Sequence, residues 1–195
     1  MRITGGQLRG RTLPAKVQRG VRPTSSRVRE ALFSIIGQDL SQVSVLDAFG
    51  GSGLLSFEAA SRGAHVTTVE RQRPAAQAIR ANAGHLGVRL DLRVGDARVV
   101  MASGSWDVVL MDPPYGDDPV EWVAEASAAV GSVAVIEHRT GVGMPITVGG
   151  LSLDRSKRYG DTMLTVYRRR ADTGLDEADV VPQNLTVVEG EDVGK

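Results

Sequence analysis

Val45-Leu46-Asp47-Ala48-Phe49-Gly50-Gly51-Ser52-Gly53 is the stretch that decides the fold. It joins an apolar run that predicts a buried strand, residues 43–47, to a segment with the pattern of a helix, residues 54–62. The glycines permit a tight turn between the two elements and let the backbone approach a ligand closely. In open α/β sheets, ligands bind at such turns, at the carboxyl ends of the strands.

Apolar runs and helical segments alternate along the rest of the chain. Further strands are predicted at residues 64–70, 90–94, 106–111 and 133–137, and helices at residues 74–86 and 119–130. Thr24 is the expected N-cap of an earlier helix that ends at Gly37. Two extended pieces, residues 146–153 and 162–167, lack a long helix between them, which predicts antiparallel pairing at one edge. The predicted fold class is therefore α/β, with a mostly parallel sheet and helices on both faces.

The two ends of the chain carry opposite charge. Residues 1–29 contain eight basic residues and no acidic one, whereas residues 171–195 contain seven acidic residues and one lysine. A basic segment of one sign is typical of a polyanion partner, although a solvated basic arm would have the same charge. We therefore expect a basic extension with a small β-hairpin at residues 1–23, a main domain at residues 24–170 and a disordered acidic tail at residues 171–195.

The composition excludes several classes of protein. Cysteine is absent, which excludes disulfides, cysteine-ligated metals and thiol catalysis. His65, His85 and His138 have spacings that match no metal motif, so no metal is expected. No apolar run approaches the roughly 20 residues that span a bilayer, and the polar N-terminus lacks the apolar region of a secretory signal. The expectation is a cytoplasmic protein with no membrane partner.

Acidic residues follow three successive predicted strands. Asp47 and Glu70 end the first two strands, and Asp96 follows the third. Carboxylates at one edge of a parallel sheet suit a nucleoside cofactor, with Asp47 for a cationic group, Glu70 for a ribose diol and Asp96 for an adenine amino group. The glycines break the G-x-G-x-x-G pattern at its third position, which disfavours a dinucleotide. A tight turn that binds nothing is the alternative.

The second turn suited to chemistry is Asp112-Pro113-Pro114-Tyr115, directly after the predicted strand 106–111. The two prolines fix the backbone and remove two N–H donors, so the Asp112 carboxylate and the Pro113 carbonyl are expected to act as paired acceptors. An exocyclic amine offers two N–H donors to such a pair, and accepting both helps its nitrogen become tetrahedral as it attacks. Tyr115 offers a ring for base stacking. The alternative is a proline-rich loop in which Asp112 caps a helix or turn.

Both turns resemble motifs of the Rossmann-like S-adenosylmethionine-dependent methyltransferases that modify exocyclic amino groups. The D-x-F-x-G-S-G turn at residues 47–53 is similar to their first motif, and DPPY at residues 112–115 to their fourth. DPPY is shared by DNA adenine methyltransferases and by RNA guanine-N2 enzymes. The motif therefore implies methylation of an amino group without selecting the base.

The rest of the chain narrows the resemblance to the RsmD family, bacterial methyltransferases that act on guanine N2 of small-subunit ribosomal RNA. The similar segments occur in order along the chain, from its first residue to about residue 168. They are Met1-Arg2-Ile3, Gly6, Arg9-Gly10-Arg11, Arg22-Pro23-Thr24, Arg27-Val28-Arg29-Glu30-Ala31-Leu32-Phe33, Ser61-Arg62-Gly63-Ala64, Glu70, Asn82 and Tyr159-Gly160-Asp161-Thr162. One departure is Gly50, where the family more often has alanine, and it is expected only to loosen the turn.

The resemblance also implies a cofactor, a partner and a set of site residues. S-adenosylmethionine is the implied methyl donor, with no metal, and 16S ribosomal RNA within an assembled small subunit is the implied substrate. A monomer is the default expectation. The implied cofactor-binding residues are Asp47, Gly51, Gly53, Glu70 and Asp96. The implied catalytic residues are Asp112, Pro113 and Tyr115, and the implied RNA contacts are Arg9, Arg11, Arg22 and Arg27.

Two other functions remain open from the sequence. A DNA or RNA adenine-N6 methyltransferase would use the same DPPY acceptors, but it leaves the similarity of the N-terminal segment unexplained. A non-catalytic RNA-binding factor for ribosome assembly could retain the fold. Such a factor would have no need of Asp47, Glu70, Asp96 and DPPY together.

Overall fold

The computed structural model of the protein describes residues 1–14 and 25–170. The strands are β1 (Ser44–Asp47), β2 (His65–Glu70), β3 (Asp91–Val94), β4 (Trp106–Met111), β5 (Val130–Arg139), β6 (Thr147–Val148), β7 (Leu151–Tyr159) and β8 (Thr162–Arg169). The helices are α1 (Ser26–Ile36), α2 (Leu54–Ser61), α3 (Arg73–Leu86), α4 (Ala97–Met101) and α5 (Pro119–Ala126). Each predicted strand up to β5 is present, so the alternation of apolar runs identified the elements correctly.

The strands form one sheet in the order β3-β2-β1-β4-β5-β8-β7-β6. Strands β1 to β5 pair in parallel, whereas β8 pairs antiparallel with both β5 and β7, and β6 pairs antiparallel with β7. The predicted mostly parallel sheet with an antiparallel edge is confirmed. Each connection between parallel strands carries the chain back to the edge at which the next strand begins. The carboxyl ends of β1 to β5 therefore all lie together at the other edge of the sheet.

Two apolar clusters cover the two faces of this sheet. In β1, Val45 packs in a cluster with residues of α1 and α2, whereas the next residue, Leu46, packs with residues of α4 and α5. Leu110 and Met111 of β4 divide between the same two clusters. Successive side chains of a strand point to opposite faces. The predicted placement of helices on both faces is therefore confirmed.

Helix α4 and the division between β6 and β7 were not predicted. Helix α4 is only five residues long, too short to show a helical period. The extended piece predicted at residues 146–153 is interrupted at Gly149 and Gly150, which both have positive φ, 54° and 76°. The chain turns there, and β7 then continues to Tyr159. These differences arise where one or two residues decide the backbone direction.

The first helix begins one residue later than expected. Its N-cap is Ser25, whose hydroxyl oxygen accepts a hydrogen bond from the amide of Val28 at 3.3 Å. Thr24, the expected cap, lies outside the described residues. The acidic tail that we expect to be disordered, residues 171–195, also lies outside them.

The N-terminal residues form a small hairpin that packs on the domain. Arg2 and Thr12 make its one β-bridge, and the amide of Ile3 donates to the carbonyl of Arg11 at 2.9 Å. The side chains of Ile3 and Leu13 are buried against apolar residues of α2 and α3. The hairpin is therefore held in place by burial of its own apolar side chains.

A buried carboxylate, Glu58 of α2, joins this hairpin to two helices. Its Oε1 accepts hydrogen bonds from the amide and the hydroxyl of Thr4, at 2.7 and 2.9 Å. Arg29 of α1 places Nε 3.4 Å from Oε1, and Arg62 places Nη1 2.5 Å from Oε2. The Glu58 side chain is completely buried. A buried charge is tolerated only when it is paired and hydrogen-bonded, so the positions of all three partners are tightly constrained.

The substitution Glu58→Gln should destabilise the protein strongly. It removes the negative charge while keeping the side-chain size, and it leaves Arg29 and Arg62 buried beside a neutral group. We expect the free energy of unfolding to fall by about 3 kcal/mol or more. Chemical denaturation at pH 7 measures the loss.

The control for this prediction is Glu30→Gln on the exposed surface of α1. It should change the free energy of unfolding by less than about 0.5 kcal/mol. Equal stability of the two variants would show that Glu58 does not hold these elements together.

Candidate active site

The strand order reverses between β1 and β4, which are neighbours although β2 and β3 lie between them in the sequence. Connections leaving the ends of two such strands diverge and leave a crevice between them. The amide of Ala48 donates to the carbonyl of Leu110 at 3.0 Å, so the glycine turn and the DPPY loop begin side by side. A cleft of about 950 Å³ opens at this point.

Seven of the eight residues expected to bind the cofactor or the target base line this cleft. They are Asp47, Gly51, Glu70, Asp96, Asp112, Pro113 and Tyr115. Gly53 is the exception, because it is the N-cap of α2 with φ of 76°. A Cβ atom at Gly53 would lie 2.7 Å from the ring of Phe57. Gly53 therefore shapes the turn and does not form the wall of the cleft.

Gly50 packs directly on β2. Its amide donates to the carbonyl of Val69 at 2.7 Å, and a Cβ atom at this position would lie 2.8 Å from Cγ2 of Thr68. Real Cβ atoms essentially never come so close to another heavy atom. A methyl group at this position would therefore require the side chains of Thr68 and Ile79 to shift, and glycine avoids that shift.

Asp47 is buried at the end of β1. Its Oδ2 accepts a hydrogen bond from the hydroxyl of Ser56 at 2.5 Å, and the Ser56 oxygen accepts one from the hydroxyl of Thr68 at 2.8 Å. Burial raises the pKa of Asp47 to about 6, while the Ser56 hydrogen bond acts in the opposite direction. A nearby cation would compensate the buried negative charge. The position therefore suits a positively charged ligand group.

Glu70 and Asp96 bind the backbone around the cleft. Glu70 Oε2 accepts from the amide of Gly51 at 2.8 Å, and Oε1 accepts from the amide of Gln72 at 2.6 Å. Asp96 Oδ1 accepts from the amide of Arg98 at 2.8 Å and so caps α4. A carboxylate oxygen can accept more than one hydrogen bond. Both residues can therefore hold the backbone and bind hydroxyl or amino groups of a ligand.

The Asp112–Tyr115 loop leaves β4 on the other side of the cleft. Asp112 is half-buried, Pro113 is buried, and Tyr115 is 45% exposed. The guanidinium carbon of Arg139 lies 4.6 Å from the centroid of the Tyr115 ring. An exposed aromatic ring, supported by an arginine, thus lies close to a carboxylate at the mouth of the cleft.

Sequence reasoning missed an aromatic group in the cleft wall. Trp122 of α5 is buried, lines the cleft and meets the Phe49 ring edge to face at 4.8 Å between centroids. Arg98 also lines the cleft, lies 4.0 Å over the Trp122 ring and pairs with Glu125 at 2.6 Å. These side chains come from the glycine turn, α4 and α5. No local spacing in the sequence could have shown that they meet.

Arg139 was also missed, although a signal for it exists. The rule that selected Glu70, a charged residue at the carboxyl end of a parallel strand, applies equally to Arg139. The predicted strand stopped at residue 137, whereas β5 ends at Arg139. Two residues of error at a strand end therefore hid the position.

The arginines expected to contact RNA lie in different places. Arg9 and Arg11 are exposed on the hairpin, and Arg11 donates to the carbonyl of His85 in the last turn of α3 at 3.3 Å. Helices of βαβ units end at the edge where the strands begin, so these two arginines lie away from the cleft. Arg27 is exposed in the first turn of α1. Arg22 lies outside the described residues.

The described residues contain neither a metal-binding group nor a membrane-spanning helix. In residues 1–14 and 25–170, no three or more His, Asp or Glu side chains are grouped so that they could hold a metal ion. Within the same ranges, none of the helices has the length and apolar character needed to cross a membrane.

Comparisons with known proteins agree on one family. The model of the family described as conserved hypothetical protein 95 matches residues 1–168. Ribosomal RNA small subunit methyltransferase D of Escherichia coli K12 is 32% identical over 199 residues, covering 92% of this chain and 94% of the relative. YlbH of Bacillus subtilis 168 is 32% identical over 183 residues, covering 87% of this chain and 100% of the relative. The solved structure of yhhF from Escherichia coli has a TM-score of 0.77 at 33% identity, with 88% and 98% of the two chains covered.

The raised pKa of Asp47 predicts an unusual pH dependence of stability. A carboxyl group whose pKa is raised on folding destabilises the native state above that pKa, and the penalty disappears as the pH falls through about 6 towards 4. Asp47→Asn should therefore increase the free energy of unfolding at pH 7 by about 1 to 3 kcal/mol, with a smaller gain at pH 4 to 5. Denaturation of both proteins across this pH range measures the difference.

Asp107→Asn is the control of opposite sign. Hydrogen bonds from Ser44 lower the pKa of Asp107, so its carboxylate contributes stability that is lost as the pH falls. Its removal should destabilise the protein at pH 7. A gain in stability for Asp47→Asn that does not depend on pH would contradict the assignment.

Proposed function

The chain belongs to the RsmD family, that of ribosomal RNA small subunit methyltransferase D, and we propose that it methylates guanine N2 in 16S ribosomal RNA. Methylation of ribosomal RNA is the activity in the name of its curated relative. The proposal goes beyond that name in three points: the base is guanine, the atom is N2 and the molecule is 16S ribosomal RNA. The observation that carries it is the presence, in one cleft, of three carboxylates at the glycine-rich end and the DPPY loop at the other.

In this proposal the methyl donor is S-adenosylmethionine, which supplies an activated methyl group on a positively charged sulfur. The cleft suits a cation, because seven carboxylates and two arginines line it. Asp47 binds the amino group of S-adenosylmethionine, since a cation at that position offsets the cost of burying the Asp47 carboxylate. Glu70 accepts hydrogen bonds from the ribose hydroxyls, and Asp96 from the adenine amino group. Gly51 lets the backbone approach the cofactor.

The DPPY loop positions the base that is methylated. The Asp112 carboxylate and the Pro113 carbonyl accept the two N–H groups of the guanine amine, which draws its lone pair out of conjugation with the ring. Tyr115 stacks on the base, which has to leave its neighbours in the RNA at a cost of a few kcal/mol. The protein contributes mainly alignment and electrostatics to a direct displacement. After transfer, Asp112 can receive the proton that the amine releases.

The proposal also names the binding partner of the protein and its location in the cell. Small-subunit ribosomal RNA is the partner, bound within an assembled small subunit in the cytoplasm. Arg27 lies in the first turn of α1, whereas Arg9 and Arg11 lie on the hairpin. The two hairpin arginines can therefore contact only RNA that extends well beyond the target nucleotide. A large folded RNA meets that requirement.

Transfer of labelled methyl from S-adenosylmethionine tests the reaction and the base together. The substrates are unmodified small ribosomal subunits, their naked RNA and duplex DNA, each digested to nucleosides after the reaction. We expect label in N2-methylguanosine from the ribosomal substrates. Label in N6-methyladenine would show that the target base is adenine and not guanine. RNA binding without any label would support a non-catalytic assembly factor.

Asp112→Ala tests the division of labour in the cleft. We expect kcat to fall by about 100- to 1,000-fold, because the developing charge on the amine loses its acceptor. Affinity for S-adenosylmethionine, measured by calorimetry, should stay within about threefold, because the donor binds at the glycine-rich end. Asp91→Asn, exposed at the start of β3, is the control and should retain full activity. Loss of donor binding in Asp112→Ala would overturn the assigned role.

A further inference from the structure

The charge of the cleft creates a problem for an RNA substrate. Seven carboxylates and two arginines line the cleft, which attracts a cationic methyl donor and repels phosphate groups. Protein–RNA affinity depends strongly on neutralising phosphates with Arg and Lys. The nucleotides on either side of the target base must therefore meet basic side chains outside the cleft but close to its mouth.

The turn between β7 and β8 brings basic residues to this edge. It lies beside the end of β5, because the amide of Thr140 donates to the carbonyl of Asp161 at 3.1 Å and Arg139 pairs with Thr162 in the sheet. On β7, Lys157 Nζ lies 5.7 Å from the Tyr159 ring centroid. The antiparallel part of the sheet thus continues the edge at which the cleft opens.

Arg27 of α1 lies near the same turn. Tyr159 packs against the apolar cluster that contains Val28 of α1, the residue next to Arg27. Burial raises the pKa of the Tyr159 phenol, and the positive charge of Arg27 acts in the opposite direction. Lys157 and Arg27 are both exposed. Arg139 and Tyr159 both lie opposite Thr162 in the sheet, so the three cations belong to one region at the end of β5. We call Arg139, Lys157 and Arg27 the basic rim.

Arg139 is the member of the basic rim that touches the proposed target site. Its guanidinium carbon lies over the Tyr115 ring, 4.6 Å from the centroid. Stacking of this kind uses the plane of the group and leaves its N–H edge for bidentate binding of an anion. Among residues 1–14 and 25–170, the ion pairs found do not include Arg139, Lys157 or Arg27.

We propose that Arg139 binds the RNA phosphate next to the target nucleotide while supporting Tyr115, and that Lys157 and Arg27 bind the phosphates that follow. The inference rests on the proposed function, because it assumes that a base of RNA stacks on Tyr115. It assigns binding of the phosphates beside the target nucleotide to the antiparallel end of the sheet. The hairpin arginines Arg9 and Arg11 lie at the opposite edge and cannot perform this role.

The test compares Arg139→Ala, Arg139→Lys and the wild type, using unmodified 16S ribosomal RNA and unmodified small subunits. Equilibrium binding is measured over a range of salt concentrations, and KM and kcat are measured on the substrate that the wild type methylates. For Arg139→Ala we expect KM for the RNA to rise about tenfold, and the slope of log affinity against log salt to decrease by about 0.7 to 0.9, the value of one lost phosphate contact. Arg139→Lys should have the salt slope of the wild type but a KM between those of the wild type and Arg139→Ala. Lysine keeps the positive charge but lacks the planar guanidinium that binds an anion through two N–H groups.

The control is Arg89→Ala, which removes one exposed arginine from the connection between α3 and β3, at the far edge of the sheet. Its salt slope and KM should equal those of the wild type, and all variants should bind S-adenosylmethionine normally. A fall in kcat for Arg139→Ala with an unchanged salt slope would overturn the proposal, because Arg139 would then act only through Tyr115. Absence of methylation by the wild type would instead refute the proposed function, while the salt slope of RNA binding still tests the basic rim.

Discussion

The reversal of strand order between β1 and β4 is the constraint on which the site depends. It places the ends of two buried strands in adjacent positions, joined by the hydrogen bond from the Ala48 amide to the Leu110 carbonyl. The connection after each strand runs towards a different face of the sheet, so the space between them cannot be filled by either one. Everything that we assign to the methyl donor comes from one side of this gap, and the target base is assigned to the other.

The buried Glu58 cluster gives the N-terminal region its fixed position. A carboxylate with no solvent exposure requires partners, and here they come from the hairpin, from α1 and from the end of α2. Fixing Arg29 fixes the start of α1, which carries Arg27 two residues earlier, on the exposed side. In the proposed function, the Glu58 cluster therefore determines the position of Arg27, one of the three members of the basic rim.

Charge is separated on the surface according to the two molecules that the protein is proposed to bind. Seven carboxylates and two arginines line the cleft, and burial raises the pKa of Asp47. Cations stand outside, where the sheet becomes antiparallel and its last hairpin reaches the same edge as the cleft. A net charge of zero for the whole chain conceals this division, since the two signs cancel only in the sum.

The sequence by itself determined the succession of strands and helices, the turn after Asp47, and the DPPY loop, because these depend on apolar periodicity and on glycine and proline over a few neighbouring residues. It also brought Glu70 and Asp96 to the cleft, since parallel strands must end at one edge. Only the tertiary structure decided the contact of Thr4 with Glu58, 54 residues apart, and the stacking of Arg139 on Tyr115. It also turned Arg9 and Arg11 away from the cleft. Such contacts join elements that the sequence separates, and their geometry is set by how helices pack on the sheet, which no local pattern encodes.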